Sequence, residues 1–203
     1  MTSKHDAVDL LMAEHAQEQA LFEAFRSLCE RDASDVEKSA VAEEICLLLS
    51  VRVQLERDIF YPPLRQTIGD DALLDEGEAE HVDIERLIAR ISALDPSHAL
   101  YDVEVTVLGE IVDRHAKQAQ GRLFTKARQA GIDLVQLGTR MKARELELLA
   151  GYRGMLARSG PEDEAADPVG PVTSARTAEV NRTYKSTQTP THPATHKRTH
   201  KRA

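Results

Sequence analysis

Residues 107–128, VLGEIVDRHAKQAQGRLFTKAR, decide the fold of this chain. Apolar side chains recur there at steps of three and four from Leu108 to Val112, which is the period of an amphipathic helix. His115 continues the same inward stripe, since residues three and four apart share one face of a helix. The pattern predicts a long helix over residues 99–129 with a histidine that faces the core.

The same periodicity extends through the first 158 residues, and no strand pattern competes with it. We predict four more helices, over residues 5–30, 35–61, 71–94 and 133–157. The second is expected to stop at Pro62-Pro63, because proline interrupts a helix interior. Short connections make consecutive helices antiparallel neighbours. The predicted fold class is therefore all-α: an up-down-up-down antiparallel four-helix bundle with an additional C-terminal helix.

Composition excludes several classes of protein. Of the 203 residues, 41% are apolar and none is Trp, so the chain has enough apolar residues for a core built mainly of aliphatic side chains. No uncharged apolar run approaches the length of a membrane-spanning helix, and the N-terminus lacks the apolar stretch of a secretory signal. Two cysteines, Cys29 and Cys46, do not build a disulfide framework. We expect buried thiols and a cytoplasmic location.

The charge of −8 divides unequally along the chain. Residues 1–158 carry a net −10 and residues 159–203 a net +2, with five of the eight prolines in the latter. We predict a helical domain followed by a disordered tail, because the tail has too few apolar residues to fold. The acidic bundle should repel nucleic acid, whereas the tail permits weak polyanion contact. His192, His196 and His200 suggest either a metal-binding or polyanion-binding arm or a solvated low-complexity segment.

Polar residues interrupt the inward stripes of four predicted helices. Consecutive helices form hairpins whose centres lie near residues 32, 68 and 97. Counting residues from these centres, at roughly 1.5 Å of rise per residue, places the polar side chains at one height in the bundle. The set is His15, Arg52, Glu56, His81 and His115. Burying such polarity without partners would cost several kcal/mol, at about 2 or more per group. Either a metal or a hydrogen-bond network must satisfy it, and imidazole with carboxylate suits iron or zinc.

The two hairpins also look like copies of one unit. Residues 52–65 align with residues 115–128 at an offset of 63, and His15 aligns with His81 at an offset of 66. Each copy should offer a histidine from its first helix and His-x-x-x-Glu from its second. The first copy has Arg52 in place of that histidine. The second has Ala119 in place of the glutamate.

Four strings carry a family resemblance: DLLMAEHAQEQALF around His15, QLERDIFYPPLR after Arg52, EAEHVDIERLI around His81, and the segment around His115 quoted above. The chain resembles the hemerythrin-like family of HHE cation-binding domains over about residues 5–150. The resemblance implies a helical bundle around a diiron centre with bridging carboxylates. It further implies oxygen binding, or a role in iron, redox or nitric oxide handling.

Carried over position by position, the resemblance implies four metal ligands, and two further ligand positions of the family hold residues that do not bind metal. The matching positions are His15, Glu56, His81 and His115. Arg52 and Ala119 do not match, and a further histidine found in respiratory relatives would fall at Gly77. The resemblance thus implies at most one metal ion, iron or zinc, as cofactor.

Arg52 is the informative substitution, because a guanidinium cannot ligate a cation and stays charged. It can pair with Glu56 one turn away and so replace a metal charge; the alternative is that it extends outward to solvent. Two functions follow. One is a mononuclear site for a small ligand such as oxygen or nitric oxide, or for redox or iron sensing. The other is a metal-free structural or interaction module. No catalytic triad or phosphate loop is visible, so no enzymatic activity is predicted.

Overall fold

The computed structural model describes residues 6–158, with side chains up to residue 152. The predicted tail, residues 159–203, lies outside the described residues. The helices are α1 (Ala7–Glu30), α2 (Asp35–Leu55), α3 (Tyr61–Thr67), α4 (Asp71–Ile91), α5 (Tyr101–Gln118), α6 (Phe124–Gln129) and α7 (Leu134–Arg158). Two π-helical turns, Glu56–Phe60 and Ala119–Leu123, join α2 to α3 and α5 to α6.

Local capping fixes where the helices begin. Ser34 Oγ accepts a hydrogen bond from the backbone N–H of Glu37, and the Glu37 carboxylate accepts one from the N–H of Ser34, which is a capping box at the start of α2. Asp70 caps α4 through the N–H of Leu73. The connection before α7 turns at Gly131, where φ is +71°, a conformation that favours glycine.

Every regular element among the described residues is a helix, which confirms the predicted all-α class. α1 packs against α2 and α5, and α4 packs against α5, so these four helices with their extensions form the bundle. The connections at residues 31–34, 68–70 and 92–100 are short, so the helices that they join run antiparallel. α7 lies against α1, α2 and the first π-helical turn. None of the described helices combines the length and apolarity required to span a bilayer.

Two apolar clusters divide the core. One is centred on Leu11, Leu55 and Leu74 and includes Met141 of α7; the other is centred on Phe25, with Leu49 and Leu108 among its members. On α1, α4 and α5 the predicted histidines fall between the two clusters in sequence, and on α2 the two clusters meet around Arg52. A polar layer is thus enclosed above and below by apolar packing.

The prediction that helix 2 ends at Pro62-Pro63 is wrong, because the chain stays helical to Thr67. A π-helical turn intervenes, in which the Tyr61 N–H bonds to the carbonyl of Glu56. Both prolines then occupy the first turn of α3, where a missing N–H removes no intrahelical bond. The second π-helical turn also interrupts the helix predicted over residues 99–129. The two turns begin at positions 63 residues apart, as the internal repeat requires.

Candidate metal centre

Four helices contribute to the polar layer. His15 lies on α1, Arg52 on α2, and Glu56 at the start of the first π-helical turn. His81 and His115 come from α4 and α5. All five residues are buried, none with more than 2% of its surface exposed. π-helical turns are often found at functional sites, because the extra residue re-aims a side chain.

Glu56 is the centre of this layer. Its Oε1 accepts a hydrogen bond from Arg52 Nη1 at 2.9 Å. Its Oε2 lies 3.0 Å from His81 Nε2 and 3.3 Å from His115 Nε2, and accepts from the Tyr61 hydroxyl at 3.1 Å. Burial alone would raise the pKa of Glu56, but Arg52 and the two histidines hold it well below its usual value. Glu56 is therefore an ionised carboxylate.

Arg52 points inward and pairs with Glu56, as predicted, and the outward alternative is wrong. Its Nε donates to Glu18 Oε1 at 2.7 Å, and its Nη1 also donates to His15 Nε2 at 3.1 Å. Burial alone would lower the pKa of Arg52, but Glu18 and Glu56 raise it above its ordinary value. The layer therefore contains a permanent positive charge between two carboxylates.

His15 is neutral in this arrangement, because its Nε2 accepts from a guanidinium. Burial and then the charge of Arg52 lower the pKa of His15 to about 3. Its ring stacks on Phe124 with a centroid separation of 5.8 Å. The position predicted as a metal ligand thus has its Nε2 hydrogen-bonded to Arg52.

His115 is held from both sides. Its Nδ1 lies 2.9 Å from Glu80 Oε2, while its Nε2 faces Glu56. Burial alone would lower the pKa of His115, but the hydrogen bonds with Glu56 and Glu80 raise it. A carboxylate on the outer nitrogen is the usual way in which proteins orient a metal-binding histidine. The same geometry favours an imidazolium when no metal is bound.

His81 has a less polar environment. Its Nε2 contacts Glu56, while its Nδ1 has no hydrogen-bond partner among the described residues. Burial lowers the pKa of His81, with Glu56 opposing the shift. The ring stacks on Tyr61 at a centroid separation of 5.4 Å. His81 is thus a neutral imidazole with its Nε2 directed at the central carboxylate.

Tyr61 also occupies the space that a side chain at position 77 would need. A Cβ added at Gly77 would lie 2.6 Å from the Tyr61 hydroxyl oxygen. The further histidine of respiratory relatives therefore has no room beside Tyr61. The two stacked pairs, Tyr61 with His81 and Phe124 with His15, are related by the offsets of 63 and 66 found in the sequence.

A cluster with donor atoms within 4.8 Å of one another is formed by His15, Glu56 and His115. His81 adjoins it through Glu56 Oε2. Arg52 Nη1 is hydrogen-bonded to two of the three cluster members. The guanidinium therefore stands beside the donor atoms on the His15 side, and the donors on the other side, facing His81 and His115, are free of it.

Three residues of the site were not predicted from the sequence: Glu18, Tyr61 and Glu80. Glu18 lies one helical turn after His15 and shares its inward face, which was a readable signal. Tyr61 aligns with Phe124 in the repeat. Glu80 directly precedes His81, just as Glu14 precedes His15, so the repeat marked both positions as inward-facing carboxylates.

The family model described as the hemerythrin HHE cation binding domain matches residues 6–127. The chain belongs to this family. The crystal structure of a hemerythrin HHE cation binding domain-containing protein from Mycobacterium kansasii is similar, with a TM-score of 0.64 and 20% sequence identity. The similarity covers 77% of this chain and 94% of that one, and it shows a shared fold. No curated protein matches the chain.

Membership of the hemerythrin HHE family confirms the resemblance inferred from the sequence. Domains of this family bind metal cations, and this chain has a buried His/Glu/His cluster of the corresponding kind. In this chain the buried Arg52 lies within hydrogen-bond distance of two members of the cluster.

Proposed function

We propose that this domain binds one divalent cation, iron or zinc, at Glu56. The ligands come from His81 and His115, with His15 as the further candidate. The observation that carries the proposal is the geometry of His115, whose outer nitrogen is fixed by Glu80 while its inner nitrogen faces Glu56. A histidine so oriented presents a lone pair to a cation once its proton is lost.

The charges of the layer support a single divalent cation. Glu18, Glu56 and Glu80 contribute three formal negative charges, Arg52 contributes one positive charge, and Arg114, which pairs with Glu80, contributes another. With neutral histidines the balance is therefore −1, which one divalent ion brings to +1. A second divalent ion would bring it to +3, and so large a net charge is costly at low dielectric.

Arg52 also opposes a second cation directly. A metal ion on the His15 side would stand within a few ångströms of a guanidinium that cannot lose its proton. Two unit charges about 4 Å apart repel by about 4 kcal/mol at an effective dielectric constant of 20, and a divalent ion doubles this. The replacement of the second carboxylate by Ala119 removes the negative charge that would offset the repulsion.

Three protein donors leave a coordination position open to water or a small ligand. We infer that a bound cation would supply a Lewis-acidic position there, suited to oxygen, nitric oxide or iron sensing. Apolar clusters on both sides of the layer exclude bulky substrates. The free cysteines Cys29 and Cys46 support a reducing, cytoplasmic location.

The test is a titration of the untagged full chain with Zn²⁺, and anaerobically with Fe²⁺. His192, His196 and His200 are first replaced by asparagine, because they bind metal independently of the bundle if they act as an arm. We expect one tight site, which His115→Ala removes. His98→Ala is the matched control, because His98 is exposed and lies in the loop before α5. Equal affinities in these two variants would refute the proposed site.

A second candidate is a metal-free structural or interaction module. It is favoured by one observation: both oxygens of Glu56 already have protein partners, with Arg52 on Oε1 and Tyr61, His81 and His115 around Oε2. In this case His115 stays protonated and supplies the missing positive charge. The same titration discriminates, because this module would bind no more cation than its His115→Ala variant.

A further inference from the structure

We infer that Glu18 is a positioning residue, which orients Arg52 so that Oε2 of Glu56 stays available to the cation. The inference rests on the proposed function above. Glu18 itself touches none of the donor atoms: its Oε1 accepts from Arg52 Nε at 2.7 Å. Both side chains are at most 2% exposed, so water does not weaken the pair.

Arg52 and Glu18 are two positions at which the first copy of the internal repeat differs from the second. In the second copy, His115 stands at the position of Arg52, and Glu80 holds it from the position that corresponds to Glu14. In the first copy the carboxylate that holds the residue at position 52 is Glu18 instead of Glu14. Glu14 Oε2 has no hydrogen-bond partner among the described residues, and Arg52 turns instead to Glu18.

The position of Glu18 in the second copy is apolar. An offset of 66 places Ile84 there, fully buried in the second apolar cluster. Two buried positions thus differ together between the copies, one gaining a guanidinium and the other a carboxylate. An isolated buried charge would be strongly unfavourable, so each substitution needs the other.

The geometry explains how Glu18 acts on the cation site. With Nε tied to Glu18, the guanidinium presents Nη1 to Oε1 of Glu56 and leaves Oε2 to the histidines and Tyr61. Arginine that is free to rotate frequently binds a carboxylate through both oxygens, in the bidentate geometry. Without Glu18, Arg52 would therefore cover Oε2 and compete with the cation for it.

Two substitutions separate this positioning effect from a loss of charge. Glu18→Gln keeps an oxygen that can accept from Arg52 Nε but removes the negative charge, whereas Glu18→Leu removes both. We expect Glu18→Leu to bind Zn²⁺ about tenfold more weakly than Glu18→Gln, the size of effect of one lost charge-assisted hydrogen bond. In an Arg52→Met background, the two variants should differ less than about twofold, since no guanidinium remains to be positioned.

The measurement is Zn²⁺ affinity of the full chain with the three tail histidines replaced as above. Side-chain ¹⁵N NMR of Arg52, assigned with Arg52→Lys, gives a second readout that needs no metal. The parent and Glu18→Gln should show a slowly exchanging Nε–H, and Glu18→Leu should lose it. Glu104→Gln is the matched control, because Glu104 is a buried carboxylate outside the layer that pairs with Arg90 rather than Arg52.

The inference is overturned if Glu18→Leu and Glu18→Gln bind equally with Arg52 present, or if they differ as much with Met at position 52. Should the parent bind no Zn²⁺, the proposed function fails and the NMR signal decides alone. An Arg52 Nε–H that persists in Glu18→Leu then contradicts the positioning role. Its loss in that variant and its retention in Glu18→Gln support it.

Discussion

Arg52→Ala should be among the most destabilising single substitutions in the polar layer. The change removes a guanidinium that is 1% exposed and that bonds to Glu18, Glu56 and His15. Two carboxylates, 2% and 3% exposed, would lose their positive partner. Breaking a buried ion pair by removing one member costs about 3–5 kcal/mol, because the other charge stays buried.

Urea unfolding of the full chain at pH 7, followed by circular dichroism with a chelator present, measures this loss. Arg86→Ala is the matched control. Arg86 lies on α4 in an exposed pair with Asp83, with the arginine side chain 73% exposed. An exposed pair contributes at most about 1 kcal/mol. If Arg52→Ala loses no more unfolding free energy than Arg86→Ala, Arg52 does not act as an internal cation and the charge argument is wrong.

Three further changes test other parts of the layer. Arg52→His with Ala119→Glu restores the family ligands, so ferrous iron should raise its melting temperature more than that of either single variant; an equal rise would refute the degraded diiron geometry. Burial and nearby Glu145 raise the pKa of Glu14 from 4.5 to about 8. The folded state thus binds this proton more tightly than the unfolded state does. The free energy of unfolding should therefore fall as the pH rises from 4.5 to about 8, by up to about 1.4 kcal/mol per pH unit. Glu14→Gln should remove that slope in unfolding titrations. Gly77→Ala should cost about 1–3 kcal/mol by overpacking against Tyr61, and Tyr61→Phe should relieve it.

The sequence was sufficient to predict the bundle and the polar layer. Helical periodicity predicted α1, α4 and α7 to within a few residues, and the single helix predicted over residues 99–129 spans α5, the second π-helical turn and α6. The hairpin lengths placed the histidines of three helices at one height. The inward direction of Arg52 followed from its place on the apolar stripe of α2. These features depend on local periodicity and on counting residues, both of which a single chain displays.

The π-helical turns could not be predicted in the same way. An extra residue in a helical turn leaves no compositional mark, and Pro62-Pro63 indicated a helix end that the first turn in fact avoids. The prediction of the partners of Arg52 was also incomplete, since it included Glu56 but not Glu18. Choosing among carboxylates on neighbouring helices requires side-chain distances, which periodicity does not provide.

The most direct test of the central claim is the metal content of the full chain, purified without an affinity tag and with His192, His196 and His200 replaced by asparagine. Elemental analysis by mass spectrometry gives iron and zinc per chain, and absorption spectra report any oxo-bridged diiron bands. With Arg52 in place of one cation, we predict close to one metal ion per chain and no such bands. Two irons per chain with those bands, or no metal under saturating conditions, would contradict the account.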